Sequence, residues 1–362
     1  MWYNDGTMKT LIRNAHVISP GIDLKRASVV IEKGRIRSVT ADAVPKTGFD
    51  TVVDVRGKYL VPGFIDVHTH GACGHDVCDA TPEAIAAIAA AKLAEGCTSF
   101  LPTTLTVANR TLKAAARAVA AYRRDERFAK ALGIHLEGPF INPACCGAQN
   151  PAFVRRPSIR EVLGIAAISP VKLVSFAPEM TGGTAFAAAC RDHGIVPSCG
   201  HTGATFAQYD AGLRHLTHFC NQMTKLHHRE IGIVGAGFLL DDLNTEVICD
   251  RIHLCDDMLR LVFWKRDLAH VQMITDSLRC SHCPDGYAFE MGGLKVILKG
   301  GEARLVEGGN LAGSTLWMNR GLRNLVEVTG LPLKDLIRVT SWNQAIELGL
   351  GSSLGKVEKG YT

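Results

Sequence analysis

The chain has 362 residues, 47% hydrophobic and 21% charged, ordinary values for a globular protein long enough to bury a large core and a smaller one. With 40 basic residues against 35 acidic ones and no long basic run, the net charge of +5 argues against a nucleic-acid binder and suits a small anionic substrate. Met1 to Ser19 holds no signal-like apolar stretch, no run long enough to span a membrane follows, and the twelve cysteines form no regular framework, so a reducing cytoplasm with buried thiols is expected.

From Leu11 to Leu60 the chain reads as short strands (Leu11-Ile12, Ala15–Val17, Ser28–Ile31, Arg35–Thr40, Val52–Val55) broken by the turn residues Pro20-Gly21, Gly34 and Gly57. This predicts a small β unit. Beyond Leu60 strand and helix patterns alternate, with helices expected over Pro82–Glu95, Arg110–Arg123 and Ile159–Ile168. The eight candidate strands are Gly63–His68, Thr98–Leu101, Gly133–Leu136, Val171–Ala177, Val196–Cys199, Leu216–Phe219, Glu246–Ile248 and Val271–Ile274. Alternation of this kind implies parallel strands with helical crossovers, and eight of them close a (β/α)8 TIM barrel of the α/β class. The domain boundaries expected are 61–344 for the barrel, with 1–60 and 345–362 forming the small β domain. The tail Gly355–Gly360 reads as a turn before a strand that the sequence does not contain, as in a shortened chain or a trimmed sandwich.

Polar residues gather where these strands end. In Pro62-Gly63-Phe64-Ile65-Asp66-Val67-His68-Thr69-His70, His68 and His70 are two apart on a strand and project to the same side. Glu137 follows the third strand, His201 the fifth, His218 lies on the sixth and Asp276 ends the last. In a parallel barrel these ends share one rim, and a buried strand seldom ends in an unpaired charge. Four histidines, a glutamate and an aspartate on one rim make a metal site. Neutral imidazoles and carboxylates hold Zn or Fe while leaving a position for water, whose pKa the ion lowers. Asp276 beside that water fits a base that takes its proton and passes it to a departing nitrogen; the competing reading is a helix N-cap. The single CxxC, Cys280-Ser281-His282-Cys283, has no partner pair at ligand spacing and reads as a loop.

The motifs PGFIDVHTHG, HLEGPF, NPAFVR, GHTGAT, THFCNQM, REIGIVGA, DRIH, TDS and LAGS, in this order, resemble the amidohydrolase superfamily and within it the N-acetylglucosamine-6-phosphate deacetylases. The resemblance runs from about Leu11 to the C-terminus. It implies a barrel flanked by a small β-sandwich built from both chain ends. It also implies Glu137, His201 and His218 as the principal metal ligands, with His68 and His70 available for a second ion bridged by Glu137, hence one or two divalent ions. Asp276 matches the catalytic aspartate. On the sugar side it implies a phosphate held by the backbone at Asn221 and by Arg229, substrate contacts from His253 and from Leu311 and Ala312 of LAGS, and a homodimer in which one contact crosses the interface. Arg229 can equally be an exposed or interface arginine, and His253 a structural histidine. Departures from the family pattern cluster on the same side. Gln149 stands where a substrate-contacting histidine is usual, and Gln222 places a larger polar side chain beside the phosphate position.

The expected activity is deacetylation of N-acetylglucosamine-6-phosphate. Gln149 and Gln222 leave open the same chemistry on N-acetylgalactosamine-6-phosphate, an unphosphorylated amino sugar or another acyl group. A non-catalytic sugar-phosphate binder is the alternative from another class, disfavoured because a binder has no use for a complete set of ligands and a base.

Overall fold

A computed structural model describes residues 8–209 and 213–362, and the chain divides into two compact units, one of residues up to Ile65 with Gly330–Thr362, the other Asp66–Thr329. The small unit is built on one sheet: β1 (Lys9–Ser19), β2 (Ile22–Glu32), β3 (Arg35–Thr40), β4 (Thr51–Asp54) and β5 (Tyr59–Leu60), with β1 central, antiparallel to β2 and parallel to β4 and β5. Its inward positions alternate along the strands, and Ala15, Val17, Ala27, Val29, Ile36 and Val357 form its core. The C-terminal tail joins the outer strand β3: Ile36 N–H donates to the Tyr361 carbonyl at 2.8 Å and Gly360 N–H to the Ile36 carbonyl at 2.8 Å. Among the described residues the unit therefore has a single five-stranded sheet with the tail along its edge, where the sequence reading expects two facing sheets.

The larger unit is the barrel. Its strands are β6 (Phe64–Thr69), β7 (Cys97–Thr104), β8 (Ile134–Glu137), β9 (Val171–Phe176), β10 (Val196–Cys199), β11 (His215–Leu216), β12 (Asn244–Ile248) and β13 (Val271–Ile274). They pair in chain order, parallel from β7 to β13, with β6 beside β7. Two bonds across the last gap close the ring: Asp276 N–H donates to the His68 carbonyl and His70 N–H to the Ser277 carbonyl, each at 2.8 Å. These strands are buried on both faces, and their apolar residues are joined by buried polar ones such as Asp66, Thr103, His135 and Glu246.

Helices α1 (Pro82–Ala94), α2 (Asn109–Tyr122) and α3 (Ile159–Ala166) lie within a residue or two of their predicted spans. α1 starts at Thr81, whose hydroxyl accepts from Ala84 N–H at 3.2 Å, with Pro82 at the first helical position. The polar residue of α1 turned inward is Lys92, fully buried; its ammonium meets Glu95 at 2.9 Å and Asp66 at 3.4 Å. Asp66 in turn accepts from the backbone of His68 and Thr275 at 3.3 Å each, so one ion-pair network steadies the ends of both β6 and β13. After β13 the chain forms a three-stranded antiparallel sheet, β14 (Ala288–Met291), β15 (Leu294–Lys299) and β16 (Glu302–Leu305), which the sequence reading does not anticipate. No helix is long and apolar enough to cross a membrane among the described residues.

Candidate metal centre and active-site cavity

Parallel strands put their C-terminal ends on one rim, and the six polar residues expected there meet. Glu137 Oε1 lies 3.2 Å from His201 Nε2 and 3.0 Å from His218 Nε2, and those two nitrogens are 3.0 Å apart. A second triangle adjoins it: His68 Nε2 and His70 Nε2 are 3.3 Å apart, and Asp276 Oδ1 lies 3.5 and 3.2 Å from them. Glu137 sits between the triangles, its Oε1 3.5 Å from His68 Nε2 and its Oε2 3.3 Å from His70 Nε2. All six side chains are buried.

This geometry fits divalent cations. Atoms bound at about 2.0–2.2 Å to one ion stand roughly 3 Å apart, the spacing of both triangles. The outer nitrogens fix the inner ones as lone pairs. His70 Nδ1–H donates to the Thr103 carbonyl at 3.2 Å, His201 Nδ1–H to the Cys145 carbonyl at 2.8 Å and His68 Nδ1–H to Glu246 at 2.8 Å. His218 Nδ1 is buried with no hydrogen-bond partner among the described residues, while its backbone N–H donates to Glu246 at 3.0 Å. Without a cation the buried carboxylates must be balanced by protons. Burial disfavours a charged His70 ring, but Asp276 and Glu137 outweigh it and push its pKa up to about 9. One proton can bridge only one contact of the Glu137–His201–His218 triangle, whereas a cation serves all three.

The strand ends are locally strained to reach this arrangement: His201, His218 and Asp276 all adopt left-handed backbone, with φ of 47°, 30° and 50°. No helix follows Asp276, so it is not an N-cap. The LAGS segment braces it instead. Ser314 N–H donates to the Asp276 carbonyl at 2.8 Å, and Gly313, at φ +49°, passes so close that a Cβ there would lie 2.8 Å from the same oxygen.

The cluster floors a cavity of about 330 Å³ whose lining includes Gln149, Asn221, Gln222, His253, Arg304 and Leu311. Gln149 is turned to the floor, not to the open space: its amide donates to Glu137 Oε2 and its oxygen accepts from Thr106 N–H at 2.8 Å. Asn221 folds onto its own loop, its backbone N–H donating to the His218 carbonyl at 3.0 Å and its amide to the His218 and Phe219 carbonyls at 3.2 and 3.3 Å. Gln222, at φ +49°, packs over Gly147. His253 is anchored by its Nδ1, 2.7 Å from Asp250 Oδ2; burial works against its charged form, and Asp250 more than offsets this, so its pKa is raised. Ala312 is buried behind the lining, its N–H on the Ala303 carbonyl at 2.9 Å. Arg229 is exposed, with Nη1 2.7 Å from His228 Nε2, and is not brought into the cavity of its own chain.

Four residues of the site escape the sequence reading. Glu246 and His135 are an acid and an imidazole inside buried barrel strands, a signal available in the sequence; burial sets the His135 pKa down to about 3, and the His68, His215 and His135 rings overcome burial to hold Glu246 at about 2. Thr103 acts through its carbonyl, and Arg304 enters on β16, so neither leaves a trace in composition or spacing. In the CxxC, Cys280 is fully buried, which pushes its thiol up to about 12, and burial also raises the thiol of the half-buried Cys283.

Residues 59–362 match the amidohydrolase family, and the chain belongs to it. It is 32% identical to N-acetylglucosamine-6-phosphate deacetylase of Lysinibacillus sphaericus, over 98% of this chain and 92% of that one. It is also 35% identical to N-acetylgalactosamine-6-phosphate deacetylase of Escherichia coli O157:H7, over 86% of this chain and 83% of that one. Among solved structures, a mutant N-acetyl-D-glucosamine-6-phosphate deacetylase of Mycobacterium smegmatis in complex with N-acetyl-D-glucosamine-6-phosphate aligns with a TM-score of 0.90 at 28% identity, covering 98% of this chain and 93% of that one.

Proposed function

We propose that the protein hydrolyses the acetamide of N-acetylglucosamine-6-phosphate, giving acetate and glucosamine-6-phosphate. The observation that carries this reading is the meeting of Glu137, His201, His218, His68, His70 and Asp276 on the floor of one cavity. Glu137, His201 and His218 would hold one divalent ion, Zn or Fe, and His68, His70 and Asp276 a second. When bound, such an ion polarises the amide carbonyl and lowers the pKa of a water molecule.

The chain's own residues do the rest. Asp276 is the general base: its carboxylate takes a proton from the attacking water and returns it to the amide nitrogen as the C–N bond breaks, so that amine and acetate leave. Burial of the floor excludes bulk water from that transfer. His253, oriented through Nδ1 by Asp250, presents its other nitrogen as a donor to the sugar. Arg304, with its Nε 2.7 Å from Glu302 and Nη1 2.8 Å from the Gly309 carbonyl, brings a guanidinium to the wall and suits the phosphate. Arg229 lies outside its own cavity and, as a phosphate contact, would serve the cavity of a second copy in a homodimer. The twelve cysteines, all free, suit a reducing cytoplasm.

N-acetylgalactosamine-6-phosphate is the second reading, favoured by the 35% identity to a deacetylase of that name. Gln149 does not support it by direct contact, because its amide is engaged with Glu137 and Thr106. Acetate release from both C4 epimers, each with and without the 6-phosphate, tests the assignment. The gluco phosphate is expected to be turned over fastest, and the unphosphorylated sugars poorly. Equal rates with and without phosphate would remove the phosphate from the recognised substrate.

A further inference from the structure

Glu137 has two carboxylate oxygens, and their surroundings differ. Oε1 faces His201, His218 and, farther off, His68, and no side-chain amide reaches it among the described hydrogen bonds. Oε2 faces His70 and receives the Gln149 amide. The direction of that amide is not a free choice. Thr106 N–H lies 2.8 Å from the other terminal atom of Gln149, and a backbone N–H can only donate, so that atom is the carbonyl oxygen and the NH₂ group faces Glu137. Thr106 is itself tied to Glu137, its hydroxyl donating to the Glu137 carbonyl at 3.3 Å, and Gln149 N–H closes its own turn on the Cys146 carbonyl at 2.9 Å. The amide, the Thr106 backbone and the Glu137 carboxylate thus form a closed clamp. Gln149 is only 7% exposed, so water does not compete for these bonds.

We infer that Gln149 makes the two cation positions unequal. A donor hydrogen bonded to a carboxylate oxygen occupies one of its lone pairs and draws off electron density. Oε1 keeps its full basicity for an ion held with His201 and His218. Oε2 is partly spent before an ion reaches the His68–His70–Asp276 triangle. The first position is then tight and the second weak, and Gln149 is the positioning residue that sets the gap. This rests on the reading that the cluster binds divalent cations. It also gives a physical role to the departure from histidine at this position: the residue governs the metal floor rather than touching the sugar.

The test is stepwise metal binding to chelator-stripped protein, titrated with Zn²⁺ or Co²⁺ against a competing chelator, in wild type, Gln149→Leu and Gln149→Met. Met keeps the length of the side chain, which covers a failure of the Leu variant to fold. Wild type is expected to show one tight ion and a weaker second one. In the variants the second ion tightens relative to the first, closing the ratio of the two dissociation constants by about 10-fold or more, the size of effect that partners behind metal ligands usually carry. A merely structural Gln149 would weaken both steps together and leave the ratio unchanged, which would overturn the inference while leaving the metal site standing. Wild type that takes up no ion at all would bring down both.

Discussion

Asp276 stands in left-handed backbone with its carboxylate against the His70 ring, a conformation that a non-glycine residue keeps only where its neighbours enforce it. Asp276→Asn preserves shape and removes the proposed base, so acetate release should fall by about 10²- to 10⁴-fold while affinity for the sugar phosphate stays within the same order of magnitude. Steady-state kinetics with calorimetric binding separates the two, and a variant with full turnover would strip Asp276 of its role. Behind the ligands, Glu246 orients His68 through Nδ1 and His218 through its backbone. Glu246→Gln should therefore weaken metal affinity by about 10- to 100-fold with little change in secondary structure; unaltered affinity would make it a purely structural acid. At this scale the sequence is readable in part. Strand-end histidines and carboxylates announce themselves because charge at the end of an apolar run needs a partner. Gln149 illustrates the opposite limit. Its position in the chain suggests a sugar contact, and only the bond from Thr106 reveals that it faces Glu137.

The elements show why most of the barrel can be read from the chain and why some parts cannot. The barrel strands stand out through apolar and β-branched clusters set between helical stretches, such as Phe64-Ile65, Phe100-Leu101 and Val247-Ile248, and helix starts such as Thr81-Pro82 carry their own signals. The β14–β16 sheet is short and mixed in exposure, with β15 alternating in burial while the apolar Ile297 takes an exposed position that breaks the apolar/polar alternation, and it is hidden among glycine turns. The second sheet expected of the small unit rests on family resemblance alone, since residues 330–362 carry no strand pattern that predicts it. LAGS, which family resemblance marks as a substrate loop, braces Asp276: its Gly313 cannot carry a side chain without pressing on the Asp276 carbonyl. Gly313→Ala should cost about 1–3 kcal/mol and lower both Tm and kcat. A variant with wild-type Tm and kcat would show that the segment yields freely.

At the scale of the whole molecule, the closed barrel brings side chains from five strand ends, spread from His68 to Asp276, into two adjoining triangles able to hold divalent metal. Nothing in the sequence alone measures whether those ends meet. The rim arises from parallel register and ring closure, both long-range properties that no local pattern encodes. The direct measurement is anomalous X-ray scattering at the zinc edge from crystals of zinc-loaded protein. A strong peak among Glu137 Oε1, His201 Nε2 and His218 Nε2 is expected, with a weaker one beside His68, His70 and Asp276. A zinc-loaded crystal whose only anomalous peaks lie on the surface would contradict it.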